Sequence, residues 1–305
     1  MSSPWFTFGV VRNNWRLTSV PLPFEFSAGV RLMHVPEWVY VDADYDPLRA
    51  TIVKELNDDR ICIGVDYLAD AMGSPDPNWD GIEKRDIQTS ATEAIHRLML
   101  ALWLTKRVCV GGDVIVDTTA DSGEWITRRI GSHDAMLTLP PFERTEFELA
   151  DIERAKLLYS AMESLPANGN VSTALNSTIR ALTELTFPIR LIMLWLVVEG
   201  LFGPEDAREI SYRLGMRLAF FLEGRSGNAR ELFRKCKESY TWRSKLVHGL
   251  RVKEIRADEP TRLLSELEDI VCRSLIKILS SDELPKVFNS KRREKYLDEV
   301  VFDGT

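Results

Sequence analysis

An always-charged guanidinium and a side chain that titrates near neutral pH stand five residues apart in Ser239-Tyr240-Thr241-Trp242-Arg243-Ser244-Lys245-Leu246-Val247-His248-Gly249. Arg243 can grip two phosphate oxygens in a planar fork, and His248 can give or take a proton at physiological pH. Together they suit phosphodiester chemistry. The local charge agrees, because residues 225–256 hold ten Lys or Arg and three Asp or Glu in a chain whose formal net charge is −7. A polyanion would be drawn to this one strongly positive window. About half of its charge would serve equally as the solvated face of a helix.

The spacing sets a geometric problem. On a straight helix, residues five apart are separated by about 140° and about 7.5 Å of rise, so Arg243 and His248 do not share a face. Three arrangements would bring them together: Arg243 curling back, the helix ending at Gly249, or two copies of the motif meeting across a symmetric dimer. Gly249 fits the left-handed position just past a helix end. That would leave His248 beside the C-terminal carbonyls, where the dipole favours imidazolium. The same spacing recurs at Arg128 and His133, but there a strand end runs into a Gly-Ser turn. Context therefore selects Arg243 and His248. Lys245 and Arg251 flank them and either hold RNA phosphates or stay solvated, while Trp242, Leu246 and Leu250, four apart, are core positions.

Positioning these groups falls to a helical second half. Residues 146–305 read as an all-α domain and residues 1–145 as a mixed α+β domain of unassigned role, with the Leu139-Pro140-Pro141 segment at the boundary. Within the helical half, residues 172–185 form one helix. Residues 190–202 are apolar nearly all round and are expected at the centre of a bundle. Glu199 interrupts that run, and a buried carboxylate needs a partner, here Arg217, Arg243 or Lys245. The bland role for it, a bundle-locking ion pair, outweighs direct chemistry. Residues 205–222, then one or two pieces within 229–250, then 261–279 complete the bundle, and residues 283–305 read as a partly docked tail. In the first half, strands are expected at 5–10, 30–34, 61–67, 108–116 and 125–130, with one helix at 89–106 and a loop at 74–78.

Other chemistries find little support. Cys62, Cys109, Cys236 and Cys272 are far apart, which points to reduced thiols in a cytoplasmic protein. His34, His96 and His133 lack metal-ligand spacing, and Asp42, Asp44 and Asp46 lack the Gly and Glu of a calcium loop, so no metal or other cofactor is expected. Residues 191–198 form the most apolar stretch and are far too short to cross a bilayer.

The segment 243–249 resembles the signature of the HEPN superfamily, in particular its Apea-like branch, whose helical bundles carry an R-x4-6-H motif. The likeness extends through Leu194-Trp195-Leu196-Val197-Val198-Glu199-Gly200-Leu201-Phe202, Glu209-Ile210-Ser211-Tyr212-Arg213-Leu214, Arg217-Leu218-Ala219 and Tyr240. It spans about residues 150–280. The resemblance implies a metal-independent endoribonuclease that works as a homodimer through its helical domain in toxin or anti-phage defence, with no membrane partner. Arg243 would bind the scissile phosphate and His248 would transfer protons as a ribose 2′-hydroxyl attacks. Ser244, Lys245 and Arg251 would contact RNA, Glu199 and Tyr240 would support the site, and the first domain would answer a regulatory protein or phage trigger. Many active members carry Asn, Asp or His after the Arg, where this chain has Ser244. The alternative is a non-catalytic module of the same fold that binds RNA, nucleotide or protein.

Overall fold

Runs rich in β-branched and aromatic residues form strands in the computed structural model, which describes residues 5–11, 15–36, 61–67, 82–107, 110, 112–121, 124–132, 145–204, 209–249 and 259–302. Asp42, Asp44, Asp46, the 74–78 loop, Cys109, His133, the prolines at 140–141, Leu250 and Arg251 lie outside these residues. The chain divides into two compact units, Met1–Met136 with Phe142–Ser160, and Leu137–Pro141 with Ala161–Thr305.

The first unit holds β1 (Trp5–Val11), β2 (Trp15–Thr18), β3 (Phe24–Ser27), β4 (Val30–His34), β5 (Ile61–Tyr67), β6 (Gly112–Asp121), β7 (Glu124–Ser132) and β8 (Thr145–Glu148). Six of them form an antiparallel sheet in the order β3-β4-β5-β1-β6-β7, and β2 pairs with β8 in parallel. Strand β1 is central, and Phe6, Thr7, Phe8 and Gly9 are all buried. Both of its faces are covered. On one, Ile95 of α1 (Ile82–Thr105) lies 3.1 Å from where a Gly9 Cβ would stand; on the other, Phe6 and Phe8 are 3% and 0% exposed, and the Phe6 ring lies across the neighbouring strand at Gly64, where a Cβ would meet it at 2.7 Å. Gly64 is thus required by close approach. The C-terminal half of α1, Leu98 to Leu104, is buried all round. Helix α2 (Leu149–Glu163) adds Tyr159, whose ring meets Phe26 edge-on at 6.0 Å.

The second unit is helical. It comprises α3 (Asn170–Thr183), α4 (Phe187–Phe202), α5 (Ile210–Glu223), α6 (Asn228–Val247), α7 (Glu259–Leu279), α8 (Leu284–Phe288) and α9 (Arg293–Phe302). Pro188 sits in the first turn of α4, where its missing N–H costs nothing. Leu191, Leu194, Trp195, Val197, Val198 and Leu201 of α4 are buried, yet Ile189 and Leu196 are 50% and 52% exposed. Helix α4 packs against α3, α5, α6 and α7, the central place expected of it, while these neighbours leave one apolar arc bare. Residues 228–247 form one continuous helix rather than two pieces. Arg190 and Glu268, both nearly inaccessible, pair at 2.6 Å and tie α4 to α7.

The C-terminal segment, expected as a partly docked tail, is anchored at two places. Phe288 of α8 is fully buried with its ring against Phe202, Phe221 and Tyr296. Helix α9 presents Glu294 and Asp298 to the buried Arg217 of α5, at 3.1 and 2.7 Å. Among the described residues no helix is long and apolar enough to cross a membrane.

Candidate functional site

Helix α6 carries the site. Its 20 residues make a rod about 30 Å long, whose buried side consists of Ala229, Leu232, Cys236 and Ser239 at three- and four-residue intervals. Gly249 stops it with φ +65, a left-handed conformation in which any side chain would be strained. The Gly249 N–H donates to Leu246 O at 3.2 Å, and the His248 N–H to Ser244 O at 3.1 Å. His248 is thus the capping residue, its side chain exposed at the negative end of the helix.

Two contacts fix how α6 lies against α4. Trp195 Nε1 donates to Ser239 Oγ at 3.0 Å, and four residues later on each helix Arg243 Nη2 donates to Glu199 Oε2 at 3.0 Å. Because the partners advance together, the helices run parallel, with their C-terminal ends on the same side. Tyr240 fills the seam between these contacts. Its ring meets Trp195 edge-on at 5.0 Å, and the Arg243 guanidinium carbon lies 5.5 Å from its centroid.

The Glu199–Arg243 pair is half-buried, with the side chains 23% and 20% exposed. Both carboxylate oxygens lie 3.0 Å from Nη2, but only Oε2 has hydrogen-bond geometry. Oε1 and Arg243 Nε are buried and have no hydrogen-bond partner. Burial raises the Glu199 carboxyl above its ordinary range, and the adjacent guanidinium offsets part of that rise. Burial likewise raises the Tyr240 phenol, and the Glu199 carboxylate adds to it. The seam therefore holds a guanidinium that is oriented but incompletely satisfied. A buried donor without a partner costs about 1–3 kcal/mol, and because Nε is sealed from solvent an acceptor reaches it only if the seam opens.

Of the residues singled out in the sequence, Arg243, Glu199 and Tyr240 meet one another. His248 does not join them. It lies at the helix end, and among the described residues no hydrogen bond or ion pair links it to Arg243. Lys245 is exposed with its ammonium 4.4 Å from the Trp242 centroid, and Ser244 is half-buried beside Arg243. Arg251 lies outside the described residues. Arg217, considered as a partner for Glu199, instead serves Phe202 O, Glu294 and Asp298.

Sequence reasoning missed Ser239, the acceptor for the buried indole N–H. The available signal was its spacing four residues before Arg243, matching Trp195 four residues before Glu199. Among the described residues no group of three or more His, Cys, Asp and Glu side chains is gathered as a metal site would need. No known protein family, curated protein or solved structure matches the chain.

Proposed function

We propose that the helical unit is an endoribonuclease of the HEPN type, cleaving RNA by attack of the substrate's own 2′-hydroxyl. The observation that carries the reading is Arg243, held in orientation by Glu199 and Tyr240 and left 20% exposed, on the same helix that ends at the exposed His248. The guanidinium would neutralise charge gathering on the phosphorus-bound oxygens, the term that usually dominates such catalysis. His248 would move the proton of the attacking hydroxyl or of the leaving oxygen. Since the nucleophile belongs to the substrate, no metal-activated water is required. The angular separation of Arg243 and His248 on one helix favours a homodimer in which each strand of RNA meets the two side chains across a shared seam. Lys245 and Ser244 border that seam, and Arg251 follows it in sequence. A role for the first unit in restraining or triggering cleavage, and a place in anti-phage defence, belong to the same proposal.

The ion pair itself favours a second reading. With Nη2 committed to Glu199, the Arg243 fork is partly occupied, as it would be in a non-catalytic bundle that recognises RNA, nucleotide or protein. Full-length protein incubated with single-stranded RNA in excess EDTA separates the two. Cleavage leaving 2′,3′-cyclic phosphate ends, lost in His248→Ala with an unchanged melting temperature, is expected. Binding without cleavage by the unaltered protein assigns the site to recognition alone.

A further inference from the structure

On the flank of Leu196 away from Glu199, α3 and α4 frame a shallow cleft of about 260 Å³ lined by Thr173, Asn176, Ser177, Arg180, Met193 and Leu196. Its walls differ in chemistry. Thr173, Asn176, Ser177 and Arg180 stand at i, i+3, i+4 and i+7, one face of α3, opposite the buried Val171, Ala174, Thr178 and Leu182. Met193 and the half-exposed Leu196 make the facing wall apolar.

None of the four polar side chains has a hydrogen-bond or ion-pair partner among the described residues. Arg213, Arg217, Arg262 and Arg273 of the same unit each hold a carboxylate, whereas Arg180, like the exposed Arg230 and Arg292, is left to solvent. A cation, an amide and two hydroxyls facing an apolar wall match an object with charged, polar-edged and flat apolar parts. A nucleotide has all three.

We propose that this cleft is a nucleotide subsite, taking a unit of the same RNA strand whose scissile phosphate lies at Arg243. Arg180 holds a phosphate, and the Asn176 amide offers both a donor and an acceptor to a base edge. Thr173 and Ser177 reach ribose hydroxyls, and the base lies against Met193 and Leu196. Leu196 and Glu199 are three residues apart, about 4.5 Å of rise, so a strand crossing α4 reaches both places. An apolar helix from a partner is the poorer occupant, since covering this face would strip water from four polar groups without replacing their hydrogen bonds.

The inference rests on the ribonuclease reading for the scissile phosphate, but it is tested by binding, independently of cleavage. The probe is a fluorescein-labelled oligo-uridine single strand, titrated by anisotropy against full-length His248→Ala protein with and without Arg180→Ala. Loss of one charge-assisted contact should weaken binding about tenfold. It should also reduce the salt dependence by about one phosphate. In protein retaining His248, Arg180→Ala should raise KM for the long strand and leave cleavage of a diribonucleoside monophosphate, too short to fill the cleft, unchanged. Equal affinity with and without Arg180 overturns the subsite while cleavage by the unaltered protein leaves the ribonuclease reading standing. Failure to bind the strand at all overturns both. If Arg180→Ala or Leu196→Glu instead turns a dimer into a monomer in sedimentation, the face belongs to a second copy and the subsite is overturned.

Discussion

Glu199 and Arg243 face each other at 3.0 Å across the α4–α6 seam, one helical turn beyond the point where Trp195 donates to Ser239. The carboxylate orients the guanidinium and also competes with any phosphate for it. These two effects have opposite consequences for ligand affinity, and a single isosteric change separates them.

Glu199→Gln keeps the shape and an acceptor oxygen while removing the charge. The variant should bind single-stranded RNA more tightly than the unaltered protein, because the phosphate no longer displaces a carboxylate from Arg243. Anisotropy titration measures it. Weaker binding would show that the charge of Glu199 positions Arg243 rather than competing for it.

The same variant carries a pH signature. Burial holds the Glu199 carboxyl above its ordinary value, so the folded chain binds that proton more tightly than the unfolded chain does. Its contribution to stability is therefore full below the unfolded value of about 4.3 and is lost as pH rises through the raised folded value. Glu199→Gln has no proton to lose. The melting temperature of the variant relative to the unaltered protein should climb from about pH 4 upward and level off once Glu199 is ionised. Solvent reaching the half-buried pair keeps the gain to about 1–3 °C.

Gly249→Ala tests whether the helix end positions His248. Among the described residues no atom lies within 4 Å of the added Cβ, so the cost comes from the left-handed backbone, about 1 kcal/mol. Cleavage should fall by more than this small loss of stability explains, since relief of the strain re-aims residue 248. Gly249→Asn, which tolerates that conformation better, should restore much of the rate. Parallel single-turnover cleavage and thermal melts of the two variants decide the matter.

The helical half of the site was legible because its signals are local. A carboxylate inside an apolar run demands a nearby cation, which narrowed the partner of Glu199 to three residues, and a glycine after a basic turn marks a helix end. What escaped depends on distance in sequence. Arg190 and Glu268 are 78 positions apart and announce nothing until α4 and α7 are packed. The bare arc at Ile189 and Leu196 is invisible for the opposite reason, since an apolar sequence carries no mark of which side lacks a neighbour. In the first unit, the short strands β2, β3 and β8 offer four residues each, too few for alternation to stand out.

Cys236 offers a probe of the helix that carries the motif. It is 1% exposed on the inner side of α6, and burial pushes its thiol up to about 12. At neutral pH almost none is thiolate, the form that reacts. Alkylation by iodoacetamide should be slow in the native protein and should accelerate only as denaturant opens α6, with mass spectrometry locating the label. Fast labelling of Cys236 without denaturant would mean that α6 leaves the bundle readily.

Arg217 makes the strongest demand on the C-terminal helix. The residue is 1% exposed, and its guanidinium is satisfied by Phe202 O at 3.1 Å, Glu294 Oε1 at 3.1 Å and Asp298 Oδ1 at 2.7 Å, so two of its three partners come from α9. Deleting residues 291–305 removes both carboxylates and leaves the Arg217 guanidinium held by one carbonyl. Breaking a fully buried pair from one side costs about 3–5 kcal/mol, and the 24% and 44% exposure of Glu294 and Asp298 keeps the loss here below that, whereas replacing the whole cluster by apolar groups can be neutral. The deletion should therefore destabilise the protein, and Arg217→Met in the truncated chain should recover part of the loss, because the cation that lacked a counter-charge is gone. Denaturant melts of the full chain, the truncation and the truncation carrying Arg217→Met measure this. If the truncated chain with Arg217 intact melts like the full chain, α9 contributes nothing to the bundle and the ion cluster is incidental.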